Sequence, residues 1–170
     1  MNLVAALLML MAVSTGASLV LAMIFGTLTL WIAWVSLWAG IGIAAVVFIR
    51  CRHLKSDEPG PTKFDWVMGF LFILFCLRQF LWVYFRRGAE MWTLNWRHGF
   101  SDLAMHLTYI ANIANGMRFW PDNPLFVGEK LTYHFGIDLF SAIFSKIGVP
   151  LHHSLPLIGV TAGILTLFAL

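Results

Sequence analysis

Residues 2–49 read NLVAALLMLMAVSTGASLVLAMIFGTLTLWIAWVSLWAGIGIAAVVFI, without one Asp, Glu, Lys or Arg. A turn at Gly26-Thr27 divides the stretch into two apolar runs, 3–25 and 27–49. Crossing a hydrocarbon core of about 30 Å takes roughly 20 helical residues, so each run is long enough to span a membrane. The first run has no basic segment before it and exceeds the roughly 7–15 residues of a signal-peptide core, so it reads as a retained helix. These two runs fix the class as an all-α membrane protein.

Outward from this stretch the pattern repeats. Residues 64–85 form a third apolar run, with Asp65 near one end and Arg78 near the other. Residues 155–170 form a fourth, which stops about four residues short of a full span and without a cap. That ending predicts that the chain is the front part of a longer protein. A small complete subunit with a short or tilted last helix is the rival reading. Three to four transmembrane helices are therefore expected. Hydrophobic residues make up 60% of the chain and charged residues 11%, which fits.

Arg50, Arg52, Lys55 and Lys63 crowd into loop 50–63, the densest basic loop, which places it in the cytoplasm. The third run then emerges on the other face near Trp82, Tyr84 and Phe85, and residues 86–154 are extracytoplasmic. The net charge of +3 is dispersed along membrane borders, so nucleic acid is not an expected partner; the lipid bilayer is. Cys51 and Cys76 fall in different compartments, which argues against a disulfide.

The outer segment carries the chemistry. Ser101 is a plausible N-cap and Gly116 a plausible stop, giving an amphipathic helix over about 101–115. A second helix is predicted over about 133–147, ended by Gly148 and Pro150. The first is expected to lie at the membrane interface, and the apolar residues of the second (Phe135, Leu139, Phe140, Ile143, Phe144) place it on the membrane or against other helices. The first holds Asp102 and His106, the second His134 and Asp138, each pair spaced by four and so on one helical face. If the helices face each other, two carboxylates and two imidazoles converge. A carboxylate there could act as a general base toward a hydroxyl, or the four residues could hold a divalent cation.

Structural readings stand beside these. Asp102 could complement a helix dipole, His106 could sit at the interface, and His134 with Asp138 could form a local pair. His152-His153 reads as the border before the fourth helix. Arg86, Arg87, Arg97, Arg118 and Lys130 suit phosphate or anionic lipid headgroups equally.

The pattern Asp102-Leu-Ala-Met-His106, then Asn115-Gly116, then Phe119-Trp120-Pro121-Asp122-Asn123-Pro124 and Tyr133-His134-Phe-Gly136-Ile-Asp138 resembles the first outer loop of GT-C-like polytopic membrane glycosyltransferases. The resemblance covers roughly residues 95–160. It implies sugar transfer from a polyprenyl-phosphate carrier to an acceptor on the extracytoplasmic face of a bacterial inner (plasma) membrane. It implies Asp102 as general base, with His106, His134 and Asp138 orienting the acceptor or holding a cation. Arg118, Lys130 and Tyr133 become substrate-binding candidates. It further implies missing C-terminal helices, without which the chain would be inactive. Alternatives are a non-enzymatic scaffold subunit for envelope polysaccharide and a transporter fragment.

Overall fold

The computed structural model describes residues 2–51, 60, 62–81, 84–87, 91–94, 101–124, 126, 128–132 and 134–169. It is predominantly helical. In chain order the elements are α1 (Asn2–Phe25), α2 (Leu30–Cys51), α3 (Lys63–Leu81), β1 (Tyr84–Arg87), β2 (Met91–Leu94), α4 (Ser101–Ala114), α5 (Gly136–Lys146) and α6 (Leu151–Ala169). Among the described residues, Leu3–Phe25 and Leu30–Cys51 are long and apolar enough to cross a membrane. Much of their large apolar surface faces outward, including Leu8, Val20, Ile24, Trp31, Trp38 and Phe48.

α1 and α2 pack as a tight pair. Gly26 turns the chain at φ 87°, a backbone conformation open to glycine at little cost. Thr29 then caps α2, its carbonyl accepting from Ala33 N–H at 3.0 Å. The helices approach closely at Gly40, where a Cβ would collide with Ser14 Oγ and stand 2.8 Å from the Leu10 carbonyl oxygen. α3 begins with a reciprocal cap: Asp65 Oδ2 accepts from Thr62 N–H at 2.7 Å, and Thr62 Oγ1 accepts from Asp65 N–H at 3.3 Å. α3 lies against α6, with Cys76 opposite Gly163.

Four differences from the sequence reading have physical causes. The third helix ends at Leu81 rather than near 85, because Tyr84–Arg87 pairs antiparallel with Met91–Leu94, Tyr84 opposite Leu94. Aromatic residues and threonine favour such a pleated ribbon. The fourth run begins at Leu151, not 155, and forms a helix of 19 residues. Pro150 starts it, its carbonyl accepting from His153 N–H at 2.8 Å and Ser154 N–H at 3.1 Å. The second outer helix starts at Gly136 rather than 133, after Phe135 has packed against Trp120 and Phe119.

The fourth concerns α5, expected on the membrane or against other helices and found in the latter arrangement. Asp138, Leu139, Phe140, Ser141, Ala142 and Ile143 are all buried, so the middle of α5 is covered on every side, while Gly136 and Ile137 at its start are exposed. The helix is enclosed by α1, α2, α4 and α6. The principal core joins α2 (Leu28 ahead of it, Ile32, Ala33) to α4 (Ile110, Ile113) and α5 (Leu139, Ile143).

Gly116 and Gly148 end α4 and α5 as the sequence predicts. Each has positive φ, 95° and 107°. At α4, Met117 N–H reaches the Asn112 carbonyl at 3.0 Å; at α5, Val149 N–H reaches the Phe144 carbonyl at 3.0 Å. Both are six-to-one closures that only a left-handed residue permits.

Candidate functional site

The site lies where α4 meets α5. His106 Nδ1 and Asp138 Oδ1 are 2.8 Å apart, across 32 residues of sequence. Lys146 Nζ donates to the Ala114 carbonyl at 2.7 Å, again across 32 residues. Two contacts with the same offset, eight residues apart on each helix, mean that α4 and α5 run side by side in the same direction. The segment between them doubles back along the pair. Trp120 anchors that segment by donating from Nε1 to the Leu131 carbonyl at 2.9 Å. Phe119 N–H reaches the Gly26 carbonyl at 2.7 Å, and Arg118 bridges to Thr27 through the backbone. The loop after α4 and the α1–α2 turn therefore share one end of the molecule.

Asp138 is fully buried, while 26% of the His106 side chain is exposed. Burial pushes the Asp138 carboxyl above its ordinary range, and the charge and hydrogen bond of His106 oppose that rise. Asp138 Oδ2 is buried with no hydrogen-bond partner among the described residues. Asp138 also stands in the first turn of α5, where the helix dipole favours a carboxylate.

The sequence-predicted cluster is thus realised in part. His106 and Asp138 meet. His134 precedes α5 instead of joining it and is exposed, so the expected His134–Asp138 pairing along one helical face is replaced by the cross-helix pair. The backbone of Asp102 belongs to the first turn of α4, one turn ahead of His106; its side chain lies outside the described residues. Tyr133, Arg97 and residues 52–59 also lie outside them. Among the described residues no group of three or more His, Cys, Asp or Glu side chains could hold a metal ion.

Lys130 pairs with Asp122 at 2.6 Å on the exposed surface, so its charge is already matched. Arg118 is exposed. His152 and His153 lie in the first turn of α6, their rings 4.1 Å apart. Sequence reading did not foresee an open groove of about 400 Å³ between α1 and the start of α5, lined by Met11, Ala12, Thr15, Gly16, Gly136, Ile137 and Phe140. Its signal was the absence of side chains at Gly16 and Gly136, where an added Cβ would meet no atom within 4 Å.

Chemically, a histidine held by a buried carboxylate is a proton acceptor with a fixed orientation. No protein family, curated protein or solved structure compared with this chain matches it.

Proposed function

We propose that this chain belongs to an integral membrane glycosyltransferase. It would move a sugar from a polyprenyl-phosphate carrier to an acceptor hydroxyl on the extracytoplasmic side. In this reading α1, α2, α3 and α6 cross the bilayer, and the α1–α2 turn and the α4–α5 unit occupy the outer end. The observation that carries the reading is the 2.8 Å contact between His106 and Asp138, an acid–base pair set among apolar helices one turn from Asp102. Ionisable side chains at such positions are costly and mark function.

Asp102 polarises the acceptor hydroxyl. His106 and His134 line its approach, and Arg118, Lys130 and Tyr133 are the candidates for the carrier phosphate, on which negative charge develops as the sugar leaves. The pairing of Lys130 with Asp122 makes Arg118 the stronger of the two cations.

The test is transfer of labelled sugar from a polyprenyl-phosphate donor by the full-length protein in proteoliposomes. Asp102→Asn should abolish transfer and leave thermal unfolding unchanged; retained transfer sinks the assignment. The complete burial of Asp138 favours a second reading, a proton-coupled transporter. Dissipation of a pH gradient in the same vesicles, with no sugar donor present, would favour that reading.

A further inference from the structure

The geometry points to a saccharide platform on the segment between α4 and α5: the exposed indole of Trp120, flanked by the Asp122–Lys130 pair, holds one pyranose ring. This rests on the transferase reading and names the residues that hold its sugar. Trp120 is 43% exposed, yet its ring is fixed at two places. Nε1 donates to the Leu131 carbonyl at 2.9 Å, and the ring stands nearly perpendicular to Phe135, their centroids 5.3 Å apart. An aromatic surface that is held in place and still open to solvent binds with little loss of rotamer freedom.

The backbone beside it is fixed as well. The Pro121 carbonyl accepts from Leu131 N–H at 2.9 Å, Asp122 bridges Lys130, and the Glu129 carbonyl accepts from Asn123 N–H at 2.8 Å. These rungs make a short antiparallel ribbon that sets Asp122 and Lys130 opposite each other, next to Trp120. Lys130 Nζ meets Asp122 Oδ1 at 2.6 Å and approaches the Trp120 carbonyl at 3.5 Å. Both side chains are exposed. An ammonium has three donors and a carboxylate about four lone-pair sites, so the pair keeps capacity on each side for further bonds.

This combination suits a sugar better than an ion. One face of a pyranose carries C–H bonds with weakly positive hydrogens, and the face of an indole is weakly negative. Around its rim the ring carries hydroxyls, which donate to a carboxylate and accept from an ammonium; bonds to charged groups are the stronger ones. The charges of Asp122 and Lys130 cancel. A phosphate drawn to Lys130 is repelled by Asp122, whereas a neutral polyol engages both. Phe135, on which the indole packs, directly precedes α5, and Asp138 stands in the first turn of that helix. The platform therefore adjoins the same end of α5 as the His106–Asp138 pair.

Saturation-transfer NMR on the protein in nanodiscs tests the platform without a donor, with methyl β-glucoside, methyl β-galactoside and methyl α-mannoside as probes. At least one should receive saturation on its ring C–H protons. Trp120→Ala should weaken that binding about tenfold, the usual worth of an aromatic contact, and Trp120→Phe should recover part of it. Trp120 also holds Leu131 and Phe135, so Asp122→Asn and Lys130→Met supply a second reading at exposed positions where an ion pair adds little to stability. Each should weaken binding roughly threefold or more. Failure of wild type to bind any of the three probes overturns the inference, and so does undiminished binding by Trp120→Ala. Overhauser contacts from the Trp120 ring to lipid headgroups alone, with added sugar present, also overturn it. Trp120-dependent binding without sugar transfer by the full-length protein keeps the platform and removes the transferase reading. Transfer with an unchanged KM in Trp120→Ala does the reverse.

Discussion

Lys146 Nζ closes the free C-terminal end of α4 by donating to the Ala114 carbonyl at 2.7 Å, in register with the His106–Asp138 contact eight residues earlier on each helix. One contact would pin the helices at a point. Two of equal offset fix their direction, so the His106–Asp138 pair and the Lys146 cap hold the same alignment.

Lys146→Met retains most of the aliphatic stem and removes the donor. It should cost about 1 kcal/mol, the usual net worth of one hydrogen bond. Amide exchange at Gly116 and Met117, which close the end of α4, should speed up while exchange in α1 does not. Equal protection in variant and wild type would mean that the Gly116 closure holds this end alone.

At Asp138 the sign of the pH dependence can be worked out. In the unfolded chain the carboxyl titrates near 3.8; in the folded protein burial raises it. The folded state therefore binds this proton more tightly. The group's contribution to stability is greatest below 3.8, declines as pH rises through the window above 3.8, and is level beyond the raised folded value. Asp138→Asn cannot ionise and should lack that decline. It should match or exceed the wild type in thermal stability at neutral pH, because a buried charge has been removed while an acceptor for His106 Nδ1–H remains. Asp138→Ala removes the acceptor and should cost about 1–3 kcal/mol. Thermal unfolding in detergent between about pH 3 and pH 7 checks both, and parallel wild-type and Asn curves would contradict the assigned direction.

α3 and α6 meet with no room to spare at Gly163. An alanine methyl there would stand 2.6 Å from Cys76 Sγ. Gly163→Ala should destabilise the pair by about 1–3 kcal/mol, the usual cost of overpacking. Adding Cys76→Ala should recover most of it, since the colliding sulfur is gone. A double-mutant cycle on melting temperature measures the coupling, and simple additivity would show that the helices slide apart instead.

The sequence by itself determined the helical class, because runs of about 20 residues without charge leave few other structures. It also determined the ends of α4 and α5, since Gly116 and Gly148 supply the positive φ that a six-to-one closure needs. It marked His106 and Asp138 as residues of interest, because polar groups in apolar surroundings require compensation. Spacing of four suggested local pairs, Asp102 with His106 and His134 with Asp138. Facing helices would bring all four together, but helical periodicity sees one element at a time and does not say which residues meet across the helices. Tertiary structure decided that pairing by ending the irregular segment at Phe135, which packs on Trp120 and leaves His134 outside α5. It also decided the burial of α5. Its apolar residues suit a place on the membrane or against other helices, and the assembled bundle chose the second, with α1, α2, α4 and α6 closing around it. Burial depends on how many neighbours surround a helix, which is a property of the assembled bundle and not of any one segment.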